Sequence, residues 1–371
     1  MKIGILTLPL HTNYGGTLQA YALQTVLERM GHQPCFIEKC RKPVRLSVVK
    51  MPFVYAKRIA KNIMGQQYPI FFEQKINREE PLVRQNTDKF VNKYIKRRLI
   101  DNFSELGRDD FDAIIVGSDQ VWRPRYFTDG IENAYLEFAK DWKVKRIAYA
   151  ASFGTDEWEY SPVQTVTCSK LLRAFDAVSV REESGVSFCC EHFGVEAQHV
   201  LDPTMLLTTD DYIKLFKATD TPVSTGTMLC YILDETPEKN ALVNRIARER
   251  GLIPFYVNSK VGDFTAPLSE RIQPPVEQWL RGFYDADFVV TDSFHACVFS
   301  ILFNKAFVVM GNEKRGLTRF TSLLSNFGLA NRFVTAPGKV NDLACIDWNK
   351  VNTNLHIKLL ESIGFLSTAL Q

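Results

Sequence analysis

No run of about 18 apolar residues occurs anywhere in the 371-residue chain, so the sequence offers no membrane-spanning helix. The first ten residues, MKIGILTLPL, read as an immediate strand without signal-peptide shape, and a cytoplasmic location is expected. The eight cysteines form no CxxC pair. Cys189 and Cys190 adjoin His192, but no second pair completes a zinc set, so all eight are expected to be reduced thiols, mostly in the core. The formal charge is only +3, which gives no overall case for a nucleic-acid partner. No closely spaced carboxylate pair asks for a metal. No GxGxxG follows the first strand, so neither a metal nor a dinucleotide cofactor is expected.

What the chain has is apolar residues, at 46%, and a length that suits two domains better than one. Its organising stretch runs from Asp287 to Met310, DFVVTDSFHACVFSILFNKAFVVM. Phe288 to Thr291 reads as a buried strand, Ala296 to Phe303 as a helix and Ala306 to Met310 as a second strand. Asp292, Ser293 and His295 fall between strand and helix, where open α/β sheets bind ligands. Unpaired N–H groups at such a helix start attract anions, and an imidazole there can carry a proton near neutrality. The plainer alternative is that Asp292 or Ser293 caps the helix while His295 packs.

The same strand-to-helix pattern opens the chain. Lys2 to Leu8 reads as a strand and Leu18 to Met30 as a helix, with Asn13, Tyr14, Gly15 and Gly16 in the glycine loop between them. Phe111 to Val116 delivers the dense turn Gly117 to Arg123, and Arg146 to Ala151 delivers Ser152, Phe153 and Gly154. Ala177 to Val180 leads to Arg181 and Glu182, and Val200 to Leu201 leads to Asp202. A βα repeat puts all these polar ends on one rim of one sheet. A second series of strands and helices follows a linker near residues 220–227. Residues of about 40–110 differ. Basic clusters interleaved with aromatics read there as two or three amphipathic helices inserted into the α/β order. Such a patch can lie against an anionic membrane or hold a substrate, although basic faces are more often only solvated.

Six of these pieces, in this order, resemble the polysaccharide pyruvyl transferase family: NYGGTLQAYALQ (13–24), DAIIVGSDQVWRP (112–124), AYAASFG (148–154), VSVREESG (178–185), VLDPTMLL (200–207) and TDSFHACVFSILFNKAF (291–307). The resemblance implies two Rossmann-like α/β domains facing a cleft, as in GT-B glycosyltransferases. An N-terminal domain over 1–219, a second over 228–340 and a closing helical segment over 341–371 fit that plan. It also implies transfer of the pyruvate unit of phosphoenolpyruvate to two sugar hydroxyls, giving a cyclic ketal and phosphate. The acceptor would be a bacterial surface-polysaccharide precursor, lipid-linked at the inner membrane face.

Residue by residue, the resemblance suggests Arg181 for donor binding and His295 for the catalytic region. Many family members carry an Arg where Ser293 stands, and Arg315 or Arg319 could replace that cation. Donor-binding candidates are therefore Arg181, Ser293, Arg315, Arg319, Gly15, Gly16 and Ser152. Acceptor-binding candidates are Asn13, Tyr14, Gln120, Trp122 and Arg123. The donor's phosphate and carboxylate suit bidentate Arg, and ketal formation needs an acid and a base. His295 is expected to assist phosphate departure, with Asp119 or Glu182 taking the hydroxyl proton. The competing reading is a nucleotide-sugar glycosyltransferase, with Glu277 or Asp285 gripping a ribose. A catalytically inert scaffold explains the polar strand ends least well.

Overall fold

Short apolar runs bounded by polar turns and separated by helices form parallel strands covered on both faces. The computed structural model, which describes residues 1–65, 69–311, 316–334 and 345–371, has two such sheets. The first half contains β1 (Lys2–Leu6), α1 (Tyr14–Arg29), β2 (Gln33–Lys39), α2 (Met51–Ile63), α3 (Phe72–Val83), α4 (Gln85–Tyr94) and β3 (Arg97–Ile100). It continues with β4 (Ala113–Val116), β5 (Lys145–Ala151), α5 (Pro162–Leu172), β6 (Ala177–Val180), α6 (Glu183–Phe188), β7 (Gln198–His199) and α7 (Thr209–Lys217). Their strand order is β3-β2-β1-β4-β5-β6-β7, all parallel.

The second half contains β8 (Met228–Tyr231), α8 (Pro237–Arg250), β9 (Pro254–Tyr256), α9 (Leu268–Arg271), α10 (Val276–Asp285), β10 (Phe288–Thr291), α11 (Phe294–Leu302) and β11 (Ala306–Met310). The helix α12 (Thr318–Asn326), strand β12 (Phe333–Val334) and helix α13 (Trp348–Ala369) follow. Here the order is β12-β11-β10-β8-β9, again parallel. In each sheet the strand order switches sides once, between β1 and β4 and between β8 and β10. Crevices open beyond the carboxyl ends of strands at such points. The two Rossmann-like halves bring those crevices together, and α13 returns to the first half. There Ser362 Oγ accepts from Leu201 N at 3.0 Å, and Phe365 packs 6.2 Å from the Tyr149 ring.

Two local expectations are corrected. The inserted stretch holds three helices, α2 to α4, but also an unexpected strand: α4 ends at Tyr94, and Arg97–Ile100 becomes an edge strand. The open edge of β2 supplies a hydrogen-bonding row that basic composition does not reveal, and Arg97 is held there by Glu38 at 2.7 Å. The glycine loop is also shorter than expected, because α1 starts at Tyr14 and takes both glycines into its first turn. Asn13 Oδ1 accepts from Gly15 N at 3.0 Å and Gly16 N at 3.3 Å.

The inserted helices join the two halves. Gln273 N donates to Val83 O at 2.8 Å, Asn86 Nδ2 to Gln273 O at 2.9 Å, and Arg271 pairs with Glu79. Elsewhere Asp211, in the first turn of α7, takes a two-pronged bond from Arg29 of α1 at 2.7 and 3.0 Å. The Arg29 bond, opposed by partial burial, lowers its carboxyl from the ordinary 3.8 to about 2. A depressed carboxyl stabilises the fold above its unfolded pKa and loses that effect as pH falls through its folded value. The stability difference between the wild type and Asp211→Asn should therefore be constant above 3.8 and shrink as pH falls toward about 2. Because Arg29 is half exposed, the difference should be about 1 kcal/mol. Urea titrations across that pH range measure it.

Candidate active site

The ends of both sheets converge on a buried charged cluster. Arg181 directly follows β6, and its side chain is 1% exposed. Its Nη1 donates to Asp202 Oδ2 at 2.7 Å and its Nη2 to Asp119 Oδ1 at 3.3 Å. Burial opposes the charge on Arg181, but Asp202, Asp119 and Glu182 outweigh that and raise its pKa. From the second half, Phe294 presents its ring 4.7 Å from the Arg181 guanidinium and 5.3 Å from that of Arg319. Burial and the Arg181 charge press Arg319 down to about 10, while Asp119 and Glu182 pull it back. A flat aromatic face attracts guanidinium groups and keeps water from them.

Burial alone would raise both aspartates. In Asp202, His295 and Arg181 reverse that effect and hold the carboxyl well below the usual range. In Asp119, Arg181, His295 and Arg319 do the same. Both are therefore anions at neutral pH. Asp202 also caps the turn that follows it, accepting from Thr204 N at 3.0 Å and Thr204 Oγ1 at 2.6 Å. Asp119 sits at φ 63°, in the turn after β4.

His295 lies in the first turn of α11, with Nε2 3.5 Å from Asp202 Oδ2 but no aligned hydrogen bond. Its ring rests on the backbone of Gly15. A Cβ added there would lie 2.0 Å from Nδ1, so only glycine admits the imidazole. Among the described residues, the buried Arg181 Nε, Glu182 Oε2 and His295 Nε2 have no hydrogen-bond partner. Such groups cost free energy unless something else satisfies them. Among the described residues, no group of three or more His, Cys, Asp and Glu side chains could hold a metal.

Several expected contacts are corrected by this geometry. Glu182 is a brace, because Oε1 accepts from Ser152 Oγ at 3.0 Å, Phe153 N at 2.7 Å and Gly154 N at 3.1 Å. That also commits the Ser152 hydroxyl. The N–H groups of Gly15 and Gly16 are taken by Asn13, so they are not vacant anion donors. Ser293 caps α11, accepting from Ala296 N at 3.5 Å. Asp292 braces the loop after β8, accepting from Leu233 N at 2.7 Å and Lys239 Nζ at 2.6 Å.

Of the acceptor candidates, Trp122 is wholly buried, donating to Ala134 O at 3.1 Å and stacking on Tyr135 at 5.0 Å. Tyr14 is also wholly buried, and its hydroxyl donates across the domain junction to Pro274 O at 2.7 Å. Arg123 is held by Glu159 at 2.8 and 3.0 Å and by Gln120 Oε1 at 3.1 Å. Gln120 in turn lies against Gly154. Asn13 lines a cleft of about 390 Å³ together with Tyr231, Asp234, Asn258, Ser259 and Gln273. Arg315 lies outside the described residues. Asp285 pairs with Arg281, and Glu277 lines a separate groove beside Lys93.

Sequence reasoning misses Phe294 and gives Asp202 no assigned role. Phe294 reads as apolar helix and Asp202-Pro203 as a turn, and only the two-domain geometry joins them.

This arrangement defines a two-domain α/β protein of the GT-B type, with the charged cluster between its halves. Residues 13–314 match the family described as polysaccharide pyruvyl transferase, and the chain belongs to that family. No curated protein matches the sequence significantly. Among solved structures it is similar to UDP-GlcNAc 2-epimerase from Neisseria meningitidis bound to UDP-GlcNAc, at TM-score 0.50 and 9% identity over 100% of this chain and 99% of the other. It is also similar to Arabidopsis thaliana UGT89C1 complexed with UDP-L-rhamnose, at TM-score 0.46 and 10% identity over 97% and 99%. Among the described residues, no helix is long and apolar enough to cross a membrane.

Asp202→Asn would leave Arg181 with its nearest countercharge removed. Losing one partner of a buried pair costs about 3 kcal/mol or more. Denaturant unfolding should show that loss, and an unchanged midpoint would mean that Asp202 does not hold Arg181.

Proposed function

We propose that the chain transfers the pyruvate unit of phosphoenolpyruvate to two hydroxyls of a surface-polysaccharide precursor. The observation that carries this reading is the pair of buried guanidinium groups over Phe294, with His295 beside them, in a member of this family. A phosphate and a carboxylate on one small molecule need two cations in a dry site. Arg181 and Arg319 supply them.

The reaction balances without an oxidant or reductant. The methylene carbon of the donor gains a proton, and the first hydroxyl loses its own as its oxygen bonds to the central carbon. The bond from that carbon to the phosphate oxygen breaks, the second hydroxyl oxygen bonds in its place, and its proton leaves with the phosphate. The two hydroxyl protons thus balance the one on carbon and the one on phosphate. His295 is the candidate acid for the leaving phosphate, its Nε2 lying 3.5 Å from Asp202 Oδ2 without an aligned hydrogen bond. Asp119 is the candidate base. Its depressed pKa makes it a weak one while it pairs with Arg181. A donor anion that draws Arg181 toward itself would raise the basicity of Asp119 at that moment. The acceptor would enter by the cleft beside Asn13, where Asn258, Ser259 and Gln273 offer sugar-compatible polar groups.

Phosphate release from phosphoenolpyruvate, with lipid-linked and aryl glycosides as acceptors and product mass read in parallel, tests this. The expected product gains the mass of pyruvic acid less one water and loses two free hydroxyls. Thermal stabilisation by a nucleotide sugar, and none by phosphoenolpyruvate, would overturn the reading in favour of glycosyl transfer. His295→Ala should lower kcat by about a hundredfold or more. Arg181→Lys should mainly weaken the stabilisation by phosphoenolpyruvate, with circular dichroism confirming that it folds. Gly15→Ala should mimic His295→Ala in kcat, because its Cβ would occupy the space of the imidazole.

A further inference from the structure

A surface helix normally turns its apolar stripe inward, but α2, whose Met51, Val54 and Tyr55 are half-buried, carries a second apolar stripe facing outward. Phe53, Ala56, Ala60 and Ile63 follow one another at helical spacing and are all exposed. Phe53 is 79% and Ile63 82% exposed, and Val49 before the helix and Met64 after it extend the stripe at 80% and 71%. The single buried residue of α2 is charged. Arg58 donates to both oxygens of Glu73 at 2.6 and 2.8 Å and to Ile70 O at 2.8 Å. This clamp fixes the rotation of α2, so the outward apolar face is built in.

Charge narrows the choice of occupant. Between Glu38 and Glu73 the sequence has eight Lys and Arg and no Asp or Glu. Lys50, Lys57 and Lys61 recur at intervals of seven and four, along one flank of the apolar stripe. An apolar ridge with a row of ammonium groups beside it suits the boundary between acyl chains and anionic headgroups. The ridge enters the boundary while the lysines reach the phosphates.

We propose that α2 is a membrane-docking helix that seats the protein on an anionic lipid surface. This inference does not depend on the identity of the donor substrate.

Flotation with vesicles of phosphatidylglycerol and phosphatidylcholine, against vesicles of phosphatidylcholine alone, tests it. The wild type should bind the anionic vesicles and release as salt rises. Phe53→Glu combined with Ile63→Glu should weaken partitioning by about tenfold or more. Lys50→Gln combined with Lys57→Gln should flatten the salt dependence. Both pairs lie at the surface, so circular dichroism should be unchanged. A wild type that ignores anionic vesicles overturns the proposal. So does a Phe53→Glu/Ile63→Glu protein that keeps its vesicle binding. If light scattering shows that pair turning a dimer into a monomer while the wild type binds no vesicles, the face joins two copies of the chain instead.

Discussion

A buried guanidinium must be paired, and Arg181 meets that demand in a way that organises the molecule. Its two carboxylate partners come from different strand ends, Asp119 after β4 and Asp202 after β7. Its aromatic partner, Phe294, comes from the other sheet. Asp202 also faces His295. One charge therefore links the two sheets. The guanidinium groups of Arg181 and Arg319 share this cluster with the buried carboxylates of Asp119, Glu182 and Asp202. An anion that bound these guanidinium groups would compete with those carboxylates, and a carboxylate released from Arg181 would become the stronger base.

Missing side chains matter as much as charged ones. The His295 ring occupies space that a Cβ on Gly15 would fill, so the approach of α11 to α1 is set by a glycine. Gly117 works in the same way inside the first domain. It sits at φ 125°, and a Cβ there would lie 2.1 Å from Tyr149 O. The turn that presents Asp119 thus stays flush against β5. Both glycines let backbone approach closely where a larger residue would hold the charged groups apart.

The sheet ends are legible in the sequence because buried parallel strands are short apolar runs, and the residues just beyond them are polar. Arg181, Asp119 and His295 stand out on that ground. Side-chain direction is not legible. Trp122 and Arg123 stand in a polar turn, yet Tyr135 and Glu159, from later segments, draw them into the protein. Tyr14 is hidden for a similar reason, since its partners Trp279 and Pro274 belong to the second half. The edge strand β3 escapes a reading of composition because its pairing depends on β2, whereas its residues resemble the basic helices before it.

The insertion shows how one basic segment serves two ends. Its α3 reaches the second domain through Glu79 with Arg271 and through Lys75 with Phe264 O at 2.8 Å, and α4 does so through Asn86. Its α2 instead buries one arginine and leaves a stripe of apolar residues outside. An exposed apolar stripe is unfavourable in water and does not improve the stability of the isolated chain. Its presence on a segment that also bridges the two domains is understandable if the outward face has its own partner. The bridge would then set the cleft at a fixed height and tilt above that partner.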